Sequence, residues 1–227
     1  TTLSTYKMPS NMSARAASSQ DSTIASATAN ADAGEMTHDI NITKLAQNAY
    51  LQSTTITRDN TTATTSVNLP DVIDVQYPSD ITDEEKETEI GLSFTVDDGS
   101  NDAQTISYTY SELEGKTLND IASDINKLNL NITASYDSVN DSFNLYNKKG
   151  GSTNKVSISV NTGTTDDPVG TEAQTNTANL FNNLQLAAYD STSKTLGSTL
   201  TMDASTPISE SGISAEVTID GKSYTSD

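Results

Sequence analysis

The sequence at residues 90–110 is IGLSFTVDDGSNDAQTISYTY, and this stretch decides the fold class. Apolar side chains alternate with small or polar ones over residues 90–96 and again over residues 106–110. A period of two residues is typical of a half-buried β-strand. The acidic stretch between them, residues 97–102, contains a glycine and is typical of a turn. The pattern therefore predicts a β-hairpin with a long loop.

One amphipathic helix is predicted directly after the hairpin, at about residues 117–128. Its apolar residues recur at the spacing of one helical face: Leu118, Ile121, Ile125 and Leu128. Thr117 precedes them as the N-cap, and Asp120 lies in the first turn, where the helix dipole favours an acidic side chain.

Short strand-like segments surround this hairpin and helix. Strands are predicted at residues 36–43, 132–136, 143–147, 156–160 and 215–219. Residues 178–186 are predicted to form a short helix or a tight connector, whereas residues 53–66 and 161–176 are polar and predicted to be loops. Many short strands with one helix predict a mostly β or α+β fold, arranged as two β-rich lobes.

The charge of the chain excludes one class of partner. There are 12 lysines and arginines against 31 aspartates and glutamates, for a net charge of -19. Phosphate backbones repel such a chain, so no nucleic-acid partner is expected. No apolar run reaches the roughly 20 residues that a membrane-spanning helix needs, so no membrane insertion is expected. Cysteine is absent, which excludes disulfides and thiolate chemistry within the chain.

Candidate catalytic and metal-binding residues are sparse, so no catalytic residue, cofactor or metal site is predicted. His38 is the only histidine and falls in an alternating strand, where a packed or half-buried position is expected. The acidic turns at residues 97–102 and 137–141 could bind calcium, but a hydrated turn is favoured for both. Three tyrosines could form an exposed aromatic patch, although packing across strands is favoured: Tyr108, Tyr110 and Tyr136.

Three groups of segments together resemble the bacterial flagellar filament cap family, also called hook-associated protein 2. The first comprises residues 17–22, 29–34 and 40–47, which are similar to the family's Ser-Ser-Asp entry, Ala-rich strand and strand end. The second runs through residues 117–126, 132–137 and 143–145, a repeat that flagellins also carry. The third is the strand and turn at residues 215–221, and its combination with the first group favours the cap.

The resemblance implies a domain organisation. Residues 35–66 plus 180–227 would form a first, discontinuous head domain, and residues 67–179 a second head domain inserted into it. Residues 1–34 would be an entry segment with a possible remnant of the leg domain. The chain is interpreted as a fragment of a longer protein.

The resemblance also implies a function, which is structural and not enzymatic. Cap proteins form a ring-shaped homo-oligomer at the distal tip of the extracellular filament, where they retain flagellin and assist its folding and insertion. Host mucin is a further partner that the resemblance implies, whereas the fragment alone is expected to be monomeric or weakly associating. The alternatives are the outer variable region of a flagellin or hook-filament junction protein, a surface glycan-binding adhesin domain and, last, an enzyme.

Overall fold

The computed structural model describes residues 15–58, 66–100 and 102–227. Within them the fold is mostly β with a few short helices, which confirms the predicted fold class. The strands form three antiparallel sheets. They are β1 (Ile40–Lys44), β2 (Asn48–Ser53), β3 (Ile90–Asp97), β4 (Gln104–Thr109), β5 (Ile132–Asp137), β6 (Ser142–Gly150), β7 (Lys155–Val160), β8 (Leu186–Asp190), β9 (Thr195–Thr199), β10 (Ile208–Ser211), β11 (Ala215–Ile219) and β12 (Lys222–Ser226). The helices are α1 (Leu69–Val72), α2 (Asp83–Lys86), α3 (Tyr110–Leu113), α4 (Leu118–Lys127) and α5 (Thr171–Asn183).

The predicted hairpin is confirmed as β3 and β4. These strands lie in a four-stranded sheet of order β10-β7-β3-β4. Phe94 pairs with Ile106 across the hairpin, and both side chains are buried. Phe94 also contacts Phe181 of α5 edge to face, with ring centroids 5.0 Å apart. The alternating apolar residues therefore face a core that α5 covers.

The predicted amphipathic helix is confirmed as α4. Thr117 and Asp120 cap it reciprocally, because the Thr117 hydroxyl accepts from the Asp120 amide (3.2 Å) and the Asp120 carboxylate accepts from the Thr117 amide (2.9 Å). Its apolar stripe is buried against β5 of a five-stranded sheet of order β5-β6-β2-β8-β9. Asn126 fixes the helix to that strand through two 2.8 Å hydrogen bonds with the amide and carbonyl of Ala134.

Helix α5 begins earlier than predicted and corrects the loop expected at residues 161–176. The polar side chains of Asn176 and Thr177 are fully buried in it. Thr177 accepts from the amide of Ser93 (3.0 Å) and donates to its carbonyl (3.0 Å), while Asn176 donates to the carbonyl of Gly91 (2.9 Å). These side chains supply hydrogen-bond partners for backbone groups of Gly91 and Ser93, which precede the part of β3 that pairs with β7. A polar sequence therefore forms a buried helical face.

A buried polar junction joins the four-stranded and five-stranded sheets. The Asp98 side chain, which follows β3, accepts hydrogen bonds from the amide (2.8 Å) and side chain (2.9 Å) of Asn131. The Asn147 amide group of β6 donates to the carbonyls of Asp98 and Lys155, both at 2.9 Å. Asp98 and Asn147 are both buried, so the junction holds the end of one sheet against the other.

The five-stranded sheet combines strands from both predicted head domains. Strands β5 and β6 come from the predicted insert at residues 67–179, whereas β2, β8 and β9 come from the flanking segments. In the same way, β10 of the flanking segment pairs with β7 of the insert. Buried residues of both segments belong to one hydrophobic core cluster. The division into two head domains stays a prediction about folding units.

The third sheet is small and exposed, and we call it the small sheet (β1, β11 and β12). The alternating strand predicted at residues 36–43 is partly wrong, because β1 begins at Ile40 and all five of its residues are exposed. Met36 and His38 precede the strand and are also exposed. The predicted strand at residues 215–219 and its turn are confirmed, with Asp220 and Gly221 both at positive φ as a tight hairpin turn requires.

Among the described residues, no helix is long and apolar enough to cross a membrane.

Candidate functional site

Three tyrosines form a row across the outer face of the five-stranded sheet. Tyr50 of β2 lies opposite Tyr146 of β6, and its ring centroid is 6.0 Å from that of Tyr146. On the other side, the ring of Tyr189 on β8 lies 4.9 Å from the ring of Tyr50. Both contacts are edge to face, the arrangement that aromatic pairs prefer. We call these three residues the tyrosine row.

A cavity opens on each side of Tyr50. The Tyr146 cavity has a volume of about 350 Å³ and is lined by Ala46, Gln47, Asn48, Tyr50, Tyr146 and Ser191. The Tyr189 cavity has a volume of about 250 Å³. Both are lined by Gln47, Asn48 and Tyr50, and we call these two adjacent cavities together the cleft.

The hydrogen bonds of the cleft hold the central residues and leave the outer hydroxyls available. The Tyr50 hydroxyl donates to the side chain of Asn144 (3.2 Å), and the Asn48 side chain donates to the carbonyl of Asn147 (2.6 Å). Within the described part of the chain, the hydroxyls of Tyr146 and Tyr189 have no hydrogen-bond partner. Tyr146 is 38% exposed. A ligand in the cleft would therefore meet one exposed ring, two half-buried rings and available hydroxyls.

Two acidic residues are among those that line the Tyr189 cavity, Asp190 at the end of β8 and Glu210 on β10. Hydrogen bonds from the side chain and amide of Ser193 and the amide of Thr192 lower the pKa of Asp190. Burial raises the pKa of Glu210, because its charge is partly removed from water. This end of the cleft therefore combines aromatic rings with two acidic groups.

The acidic turns that the sequence offered as calcium candidates are occupied by internal contacts. Asp97 forms an ion pair with Lys155 (2.7 Å), and the neighbouring Asp98 belongs to the sheet junction. Asp137 accepts from the amide and side chain of Asn140, and Asp141 forms an ion pair with Arg58 (2.9 Å). Within the described residues, no group of three or more acidic or histidine side chains is arranged to hold a metal ion.

The tyrosines singled out from the sequence do not form an exposed patch. Tyr108 and Tyr110 are buried, and the Tyr108 hydroxyl donates to the carboxylate of Asp124 (2.9 Å). Tyr136 is half-buried and its hydroxyl donates to Asp141 (2.8 Å). The favoured packing role is thus confirmed for these three residues, and the exposed aromatic surface lies elsewhere.

His38 is exposed and not packed in a strand, which corrects its expected position. Its Nδ1 atom lies 2.6 Å from the carboxylate of Asp220, the turn residue between β11 and β12. The contact lowers the pKa of Asp220. This pair ties the entry to β1 to the distant hairpin, and it lies apart from the tyrosine row.

The small sheet presents an apolar face to solvent. Cross-strand pairing places Ile40 opposite Ile219 and Ile42 opposite Val217, which in turn pairs with Tyr224. Paired residues point to the same side of a sheet, so these five side chains share one face. Ile40, Ile42 and Tyr224 are between 42% and 45% exposed. Nothing in the described residues covers this face.

One family matches the N-terminal part of the chain. Residues 1–49 match the family described as flagellar hook-associated protein 2 N-terminus. The structure describes residues 15–49 of this segment, which include β1 and the start of β2. The match confirms the resemblance to the flagellar filament cap family that the sequence predicts.

Solved structures of flagellar cap proteins are similar to this chain at low identity. The D1-D2-D3 domains of FliD from Escherichia coli match over 83% of this chain and 42% of that chain, at 17% identity and a TM-score of 0.45. The D2-D3 domains from Escherichia coli match over 86% and 75%, at 20% identity and a TM-score of 0.45. Those from Serratia marcescens match over 83% and 76%, at 17% identity and a TM-score of 0.42.

This chain thus spans less than half the length of the first of these structures. Comparison of the sequence with curated proteins finds no match.

Proposed function

We propose that this chain is the head region of a flagellar filament cap, an extracellular structural protein at the distal tip of the filament. The match of residues 1–49 to flagellar hook-associated protein 2 carries the proposal. A spatial observation supports it. Two of the segments behind the resemblance, residues 40–47 and 215–221, are far apart in sequence but contribute the adjacent strands β1 and β11.

The proposed role is mechanical and not enzymatic. The head domains form the outward plate of the cap, which retains flagellin at the tip and assists its folding and insertion. In this proposal residues 35–66 and 180–227 form one head domain and residues 67–179 the other. The small sheet fits this division, since its three strands come from the two separated segments of the first domain.

Deletion and labelling in the source cells test the proposal. Cells that lack the full-length protein should release flagellin into the medium and make short filaments or none, and the intact gene should restore them. Antibody raised against this chain, coupled to gold, should label one cluster at the distal end of each filament. Labelling along whole filaments would instead identify a flagellin, and labelling of the cell body would identify a surface adhesin.

The oligomeric part of the proposal concerns the full-length protein. There it forms a ring-shaped homo-oligomer, whereas this chain alone is monomeric or weakly associating. Light scattering coupled to size exclusion at micromolar concentration should give the mass of one chain, near 24.0 kDa. A stable ring formed by this chain alone would refute that division of roles.

Adhesion to host mucus is a finer proposal that rests on the resemblance alone. It predicts that immobilised mucin retains this chain at physiological salt, and that a cap head from a bacterium without a mucosal host is not retained. Equal retention of both, or of neither, would remove adhesion from the proposed function.

A further inference from the structure

Lysine side chains lie over tyrosine rings at three places outside the tyrosine row. The distances from the ammonium nitrogen to the ring centroid are 5.4, 4.5 and 5.4 Å for Lys86 over Tyr77, Lys116 over Tyr108 and Lys222 over Tyr224. The negative face of an aromatic ring attracts a cation in this way. No lysine or arginine of the described ranges lies over the tyrosine row or lines its cleft.

The carboxylates at one end of the cleft also lack a cation. Neither Asp190 nor Glu210 forms an ion pair with a described residue. Burial disfavours the charge of Glu210, and a cationic group beside it would offset that cost. The net charge of -19 gives the whole molecule a potential that concentrates cations near its surface.

We propose that the Tyr189 cavity binds an organic cation, an ammonium or guanidinium group, between the tyrosine rings and the two carboxylates. The rings of Tyr50 and Tyr189 would contact the cation, and Asp190 and Glu210 would balance its charge. The volume of about 250 Å³ fits a small cationic group rather than a drug-sized molecule. The adjoining Tyr146 cavity has no charged lining residue and takes the uncharged remainder of the ligand.

The cation has two possible sources, a free amine or a basic side chain of a peptide. Nuclear magnetic resonance titration of the whole chain distinguishes them, with choline as the free amine and a blocked Gly-Lys-Gly peptide as the side chain. The neutral isostere of choline, 3,3-dimethylbutan-1-ol, serves as the matched control ligand, and methyl N-acetylglucosaminide tests a saccharide. We expect one or both cations to shift resonances of residues that line the cleft, and the two neutral ligands to shift none of them.

Two variants assign the binding to these residues. Tyr189→Leu keeps an apolar side chain but removes the aromatic face, and Glu210→Gln removes the charge at nearly constant volume. A cation over a ring gains roughly 0.5–1 kcal/mol, so Tyr189→Leu should weaken binding about two- to fivefold. Glu210→Gln should also weaken binding, because it removes a negative charge beside the cation. The control variants Tyr224→Leu and Glu216→Gln make the same changes on the small sheet and should leave binding unchanged.

Thermal unfolding and the dispersion of the resonances establish that each variant is folded. Binding by either cation, lost in the cleft variants and kept in the control variants, supports the proposal. Equal binding of choline and its neutral isostere would overturn it, because the charge would then contribute nothing. Binding of the saccharide alone, or of no ligand, would overturn it as well. The test is independent of the proposed role at the filament tip.

Discussion

Replacing Asp98 by asparagine should weaken the junction between the two large sheets. Although burial raises its pKa, hydrogen bonds from Ser100 and Asn131 outweigh burial and lower it from 3.8 to about 2. At 1.36 kcal/mol per pKa unit, this corresponds to about 2 kcal/mol of preference for the charged form in the folded state. Asp98→Asn keeps the shape but removes the charge, so we expect the free energy of unfolding at pH 7 to fall by about 2 kcal/mol.

The pH dependence has a defined sign and window. Because the pKa of Asp98 is lower in the folded state, its contribution is fully present above pH 3.8 and is lost as the pH falls towards about 2. The parent should therefore lose more stability than the variant as the pH falls from about 4 to about 2. Over this range the difference between their free energies of unfolding should shrink by about 2 kcal/mol.

Urea unfolding followed by circular dichroism at a series of pH values measures both effects. The control is Asp102→Asn, which makes the same change on an exposed residue of the same loop and should change stability by less than about 0.5 kcal/mol. Equal losses in the two variants, or an unchanged difference between Asp98→Asn and the parent from pH 7 to pH 2, would refute the role assigned to the buried carboxylate.

Three further predictions follow from buried polar groups and from the small sheet. Asn176→Ala should lower the free energy of unfolding by about 2–3 kcal/mol, because it removes hydrogen bonds to the buried carbonyl of Gly91 and to the amide and carbonyl of Gln76. In urea unfolding the exposed Thr175→Ala should change it much less, and similar losses would contradict this. Asp141→Ala should lower the free energy of unfolding by about 3 kcal/mol, because it removes the ion-pair partner of Arg58, whose side chain is only 6% exposed. The double variant Asp141→Ala with Arg58→Met should recover part of this loss in urea unfolding. In hydrogen exchange, amides of the small sheet should exchange at least about 100-fold faster than those of β6, since exposed strands open without unfolding the core. Equal exchange rates would show that the small sheet and the core unfold as one cooperative unit, which would argue against a separate first head domain.

Local patterns in the sequence were sufficient to predict the hairpin of β3 and β4 and helix α4. Each of these elements carries its own period, and Thr117 and Asp120 cap the helix within a few residues. Helix α5 is different, because Asn176 and Thr177 look like loop residues until β3 lies beside them. The partners that make them suitable for a buried face are distant in sequence.

The cleft could not be predicted from the sequence for a related reason. Tyr50, Tyr146 and Tyr189 lie on three strands and meet only through the pairing of β2 with β6 and β8. Strand β2 itself was not predicted. Its alternation of buried Ala49, Leu51 and Ser53 with outward residues is a signal that could have identified it. Tyr50 would then have been a candidate surface residue, but Tyr146 and Tyr189 would not have been identified as its neighbours.

The position of β2 at the centre of its sheet has a consequence for the order in which the chain can fold. Its neighbour β6 follows it by about 95 residues and its neighbour β8 by about 135, and β1 and β11 are separated by about 180. Closing such long loops precedes any gain from the contacts, which slows folding. A chain that is released N-terminus first therefore cannot complete this sheet until β9, which ends at Thr199, is free. The five-stranded sheet and the small sheet therefore close late in the folding of the chain.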